Sequence, residues 1–81
     1  MTKKYLIQKI KHHIYCSKSC YNTKNPKGMY VEFLKAQTYY NILCKFYTCH
    51  TLFAGFVNEV LGKNSGEWVV AISRVEVKIN V

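Results

Sequence analysis

The sequence predicts an α+β fold: a small single domain in which an antiparallel sheet of three to four strands packs against one main helix. Three observations carry this expectation. The segment Trp68 to Val81 is dense in β-branched residues and alternates apolar with polar from Val75 onward. The stretch Asn25-Pro26-Lys27-Gly28 reads as a chain reversal, and from Thr38 the apolar residues recur at three- and four-residue steps.

Taken from the N-terminus, Lys4 to Cys16 supports two readings. Leu6, Ile7, Ile10 and Ile14 fit one face of a helix, while Leu6, Ile10 and Ile14 also share a strand face with Gln8 and His12. Pairing with Met29 to Leu34 favours the strand, as one arm of a hairpin. In the connection, Asn25, Pro26 and Gly28 occupy the positions that a type I turn prefers, proline fixing φ where the turn needs it.

Thr38 can cap a helix, and Tyr39, Ile42, Leu43, Phe46 and Cys49 recur on one side, so the main helix is expected to run from Thr38 to about Cys49. Beyond it, Phe53, Phe56, Val60 and Leu61 either continue a helical stripe to Gly62 as C-cap or form a hairpin around Lys63 to Gly66. Asn, Ser and Gly in that turn favour the hairpin. The last strand then places Val75, Val77, Ile79 and Val81 on one face, and Glu76, Lys78 and Asn80 on the other.

Eighty-one residues, 49% of them apolar and twelve aromatic, suffice for one folded domain spanning 1–81 with a small core. Charge divides it into a basic N-terminal half, 1–28, and a near-neutral core, 29–81. Lys3, Lys4, Lys9, Lys11, Lys18, Lys24 and Lys27 give the first part seven positive charges and no acid, whereas the second holds five basic and four acidic residues. A one-sided field of this kind attracts phosphate, acidic protein surfaces or anionic lipid. Eleven lysines against one arginine match an AT-rich codon bias, which accounts for lysine over arginine but not for where the acids are missing.

The N-terminus lacks the apolar run and small-residue cleavage site of a secretory signal, and the uncharged stretch Phe46 to Asn58 is shorter than the ~20 residues that cross a bilayer. A cytoplasmic protein without a transmembrane segment is expected, its oligomeric state open. Ordinary reduced thiols fit that compartment.

Cys16 and Cys20, with three residues between them, have the spacing of half a structural zinc site. Cys44 and Cys49 do not complete it from one regular helix, because a five-residue step turns about 140° around the axis. The zinc alternative therefore draws on Cys16, Cys20 and His50, with Cys44 or Cys49, only if the helix breaks after Cys44. The expectation is no metal and no cofactor. No glycine-rich phosphate loop is present.

Catalysis has few parts available. The chain has no aspartate, and Glu32, Glu59, Glu67 and Glu76 are scattered. His12 and His13 could act as bases in a phosphodiester reaction, but exposed histidines on a charged surface are the more ordinary reading.

What remains is lysine interleaved with tyrosine. Lysines supply sequence-independent attraction to phosphates, and tyrosines stack on unpaired bases. The expected function is a small non-enzymatic nucleic-acid-binding protein, acting on single-stranded or structured nucleic acid through Lys4, Lys9, Lys11, Lys18, Tyr21, Lys24 and Lys27. The alternative is an intracellular inhibitor or adaptor, of the kind small mobile elements encode, docking on an acidic or nucleic-acid-binding protein. A histidine-based or metal-dependent nuclease comes third. Arg74, the single arginine, leaves little for base-specific readout of a duplex.

Overall fold

Four helices account for most of residues 2–80, the part of the chain described in the structure, a computed structural model. No strand occurs among the described residues, so the expected α+β sheet gives way to an all-α bundle.

Helix α1 (Lys3–Asn22) starts where the Thr2 hydroxyl accepts a hydrogen bond from the Tyr5 amide at 3.1 Å. Leu6, Ile10, Ile14 and Ser17 are buried along one face. A strand here would have carried Gln8 and His12 into the core with them; the helix leaves both exposed, which decides between the two periodicities.

The end of α1 is a Schellman motif. The Asn25 amide donates to the Cys20 carbonyl at 2.8 Å and the Lys24 amide to the Tyr21 carbonyl at 3.1 Å. That geometry forces Lys24 to φ +60°, the left-handed region where glycine is usual.

Helix α2 (Pro26–Phe46) begins at once. The Asn25 side chain accepts from the Gly28 amide at 3.0 Å, and Pro26 stands in the first turn, where its missing N–H costs nothing. The residues read as a type I turn thus serve as a helix cap. The expected strand Met29 to Leu34 and the expected helix from Thr38 belong to this one helix, which ends at Phe46 instead of Cys49. Met29, Phe33, Ala36 and Leu43 are its buried residues, and α1 and α2 form the most extensive helix pair.

Residues 47–52 cross to α3 (Phe53–Leu61), held by the Tyr40 hydroxyl and Lys3 ammonium, which donate to the carbonyls of Thr51 and Thr48 at 3.0 and 3.2 Å. Gly62, at φ +56°, closes α3 and opens a short 3-10 turn, Gly62–Asn64. The expected hairpin around Lys63 to Gly66 is therefore a helix-to-helix corner.

Helix α4 (Ser65–Asn80) replaces the expected C-terminal strand. Its buried residues Trp68 and Ile72 lie one turn apart, with Ala71 and Val75 packed beside them, a helical stripe. Of the expected strand face, Val75 packs against the core while Val77 is exposed, so alternation does not set which residues are buried; Val69 and Val70 are exposed as well. β-Branched residues cost a helix up to ~0.7 kcal/mol each, and burying a large apolar side chain returns ~1.5–3 kcal/mol. A strand would also need a partner to pair its backbone, and none exists among the described residues. Val81, the last residue of the alternation, lies outside them.

The four helices share one core. Phe33 meets Trp68 and Phe53 edge-on, with ring centroids 5.7 and 5.9 Å apart, and Tyr40 packs on Phe53 and Phe56 in the same way. Ser17 is the one buried polar residue in this core among the described residues.

Candidate nucleic-acid interface

A helix turns about 100° per residue, so Lys4, Lys11 and Lys18, at seven-residue steps, follow one stripe of α1 with only ~20° of drift per step. Lys9 lies about 180° around the axis from Lys18 and faces a groove along α2 with His13, Lys35 and Tyr39. The lysines of the N-terminal half therefore do not share one face.

Their availability also differs. The Lys11 ammonium is 2.7 Å from the Glu59 carboxylate, tying α1 to α3 in an exposed ion pair. Lys18 donates to the Asn22 side-chain oxygen at 2.9 Å and stands over the Tyr21 ring, 4.6 Å from its centroid. Tyr21 packs against the core from a half-buried position. Lys4, Lys24 and Lys27 are exposed.

The turn between α1 and α2 meets α4 in a groove of about 500 Å³. Tyr21, Lys24, Asn25, Ala71 and Arg74 line it, with the buried Met29 beneath. Two cations distant in sequence, Lys24 and Arg74, thus face one concavity, with Lys27 in the adjoining first turn of α2. That first turn contains no acid, so the positive end of the α2 dipole is left uncompensated. Among the described residues the ion pairs are Lys11 with Glu59, His13 with Glu32 and Lys35 with Glu32, and none reaches the groove. Glu67 lines an adjoining depression that shares Tyr21, Ala71 and Arg74.

Arg74, which lines this groove, was not among the candidate site residues read from the sequence. Its signal was the spacing Ala71, Arg74, Val75 behind Trp68, which places arginine at the edge of a helical apolar stripe. Reading Trp68 to Val81 as a strand gave no reason to bring Arg74 to the N-terminal basic half.

The metal and catalytic candidates are arranged otherwise. Among the described residues no group of three or more His, Cys, Asp or Glu side chains is placed to hold one ion. Cys16 Sγ lies 3.5 Å from His12 Nε2, one turn earlier on α1. Cys20 is half-buried near Gly28, and exposed His50 belongs to the connection between α2 and α3, where Cys49 Sγ contacts the Thr51 carbonyl at 3.3 Å. Burial, followed by the negative charges of Glu32 and Cys20, pushes the Cys16 thiol above its ordinary pKa, opposing the thiolate that attack or metal ligation needs.

His13 Nδ1 is 2.6 Å from Glu32 Oε2, and its ring stacks on Tyr39 at 5.6 Å with planes 5° apart. Burial pushes the Glu32 carboxyl up, but the His13 hydrogen bond and the Lys35 charge outweigh it and hold Glu32 below the usual carboxylate range. The arrangement braces α1 against α2. No helix among the described residues is long and apolar enough to cross a membrane.

Comparison with family models, with curated proteins and with solved structures gives no significant match.

Proposed function

We propose that this chain is a small helical nucleic-acid-binding protein without catalytic activity, and that its contact surface is the basic groove between the α1–α2 turn and α4. The observation that carries the reading is the convergence of Lys24 and Arg74 on one concavity, where neither forms an ion pair with a carboxylate among the described residues. Lys24 adds a second argument, since the chain accepts a left-handed backbone at a position suited to glycine and presents an ammonium there.

Phosphate contact is the main source of affinity in this reading, and base stacking is subordinate. The Lys18 ammonium already covers the Tyr21 ring, so a base stacking there has to displace it. Lys18, Lys24, Lys27 and Arg74 form the working set; Lys11 is engaged by Glu59, and Lys9 lies on another face.

The test is fluorescence anisotropy of a labelled single-stranded oligonucleotide and of a duplex, each across a salt series. Lys24→Gln and Arg74→Gln are each expected to weaken binding to all sequences and to lower the slope of log K against log salt by about 0.7–0.9. Lys63→Gln is expected to change little. Absence of salt-sensitive binding by the wild type, or unchanged binding by both groove variants, defeats the reading.

A further inference from the structure

Helix α2 carries apolar side chains on two sides. Met29, Phe33, Ala36 and Leu43 face the core, while Val31, Leu34, Ile42 and Phe46 follow steps of three, eight and four along the outward side, with Thr38 filling the middle turn. Val31, Leu34 and Phe46 are 43%, 42% and 68% exposed, so the row presents apolar side chains to solvent. From Val31 to Phe46 the row spans about four turns, or ~22 Å. Where it meets α1 it borders a groove of about 820 Å³, in which Tyr39 and Ile42 are half-buried.

Charge decides what fits. Lys9 and Lys35 line the groove beside the apolar row, and Lys45 stands over the Phe46 ring at 5.4 Å. The acid at this border, Glu32, is held by His13 at 2.6 Å and lies 3.5 Å from Lys35. A second copy laid on this face would set lysines against lysines in a chain of formal charge +8. A flat bilayer reaches protruding side chains but not the recessed Tyr39 and Ile42. A helix with its own apolar row at three- and four-residue steps enters the groove, and acids beside that row meet Lys9, Lys35 and Lys45.

We infer that the outward face of α2 is a docking site for an acidic amphipathic helix of a partner protein. This site is separate from the basic groove at the α1–α2 turn and does not depend on what that groove binds.

The probe is a labelled synthetic helical peptide of about sixteen residues, long enough for the row, with leucines along one seam and glutamates flanking it. The full chain is expected to bind it, and Leu34→Asp, at an exposed position that spares the core, is expected to weaken binding about tenfold or more. Lys35→Gln is expected to weaken it less and mainly at low salt, while Lys24→Gln leaves it unchanged. Circular dichroism of each variant confirms the helical fold. Four results each overturn the proposal: no peptide binding, equal binding of a peptide with lysines in place of glutamates, indifference to Leu34→Asp, or a dimer that buries this face. Binding to anionic phosphatidylserine vesicles in place of the peptide overturns it too and assigns the face to a membrane surface.

Discussion

The Trp68 indole N–H donates to the Ser17 hydroxyl oxygen at 2.7 Å, across 51 residues of sequence, and Ser17 in turn donates to the Met29 carbonyl at 2.8 Å. One buried hydroxyl therefore joins α1, α2 and α4. Both side chains are sealed from water, Ser17 fully and Trp68 to within 2%. Serine suits the position because it both accepts and donates while taking little room between the helices.

Ser17→Ala is accordingly expected to cost about 1–3 kcal/mol, since the indole N–H stays buried with no acceptor. In a Trp68→Phe background the same change is expected to cost less, because the orphaned donor is gone. Urea denaturation of the four proteins measures the coupling. Additive losses would show that the hydrogen bond contributes nothing of its own.

Lys24→Gly is expected to raise stability by about 0.5–1 kcal/mol, by relieving the left-handed backbone at the end of α1. The same variant is expected to bind nucleic acid more weakly, as Lys24→Gln does. Gain in one property with loss in the other separates backbone strain from charge, and denaturation with anisotropy on the same samples reads both.

Glu32 supplies the pH dependence. Its folded pKa is lowered, so the stability it contributes is fully present above the unfolded carboxylate value and is lost as pH falls through the folded one. Glu32→Gln is expected to flatten the acid side of the stability curve and to lower stability near neutral pH, where the His13 contact is lost. An unchanged acid limb in Glu32→Gln would remove the pair from the account.

The thiols are expected to alkylate unequally under native conditions. Cys44 is exposed, whereas Cys16 is half-buried with its pKa raised. Timed labelling with iodoacetamide, followed by peptide mass spectrometry, is expected to find Cys44 modified before Cys16. The reverse order would mark Cys16 as an activated thiol.

The reversal at Asn25 to Gly28 was legible in the sequence, but its two arms were read as strands and are helices. Leu6, Ile10 and Ile14 marked the buried face of α1, and the helical spacing from Thr38 marked the second half of α2. Asn25, Pro26 and Gly28 suit a type I turn and a capped helix start equally, because both ask for a short polar side chain, a fixed φ and a free amide. The C-terminal helix was not legible. Alternating valines satisfy a strand template, and only the presence of a helical core for Trp68 and Ile72 to enter reverses that preference. The basic half was visible as composition, but its division among faces depends on the angle each lysine takes around α1. The meeting of Lys24 with Arg74 depends on how α4 docks.

That docking turns the groove into a clasp. One wall is the α1–α2 turn and the other is α4, which reaches the core chiefly through Trp68 and Ile72. Any ligand touching both walls binds only molecules in which the last helix is seated, so occupancy draws the local opening equilibrium of α4 toward closure by mass action. Amide protons of α4 should then exchange more slowly with deuterium as ligand is added, while those in the middle of α1 and α2 hold their rates, and the chain's C-terminal quarter becomes the part whose persistence reports that the groove is filled.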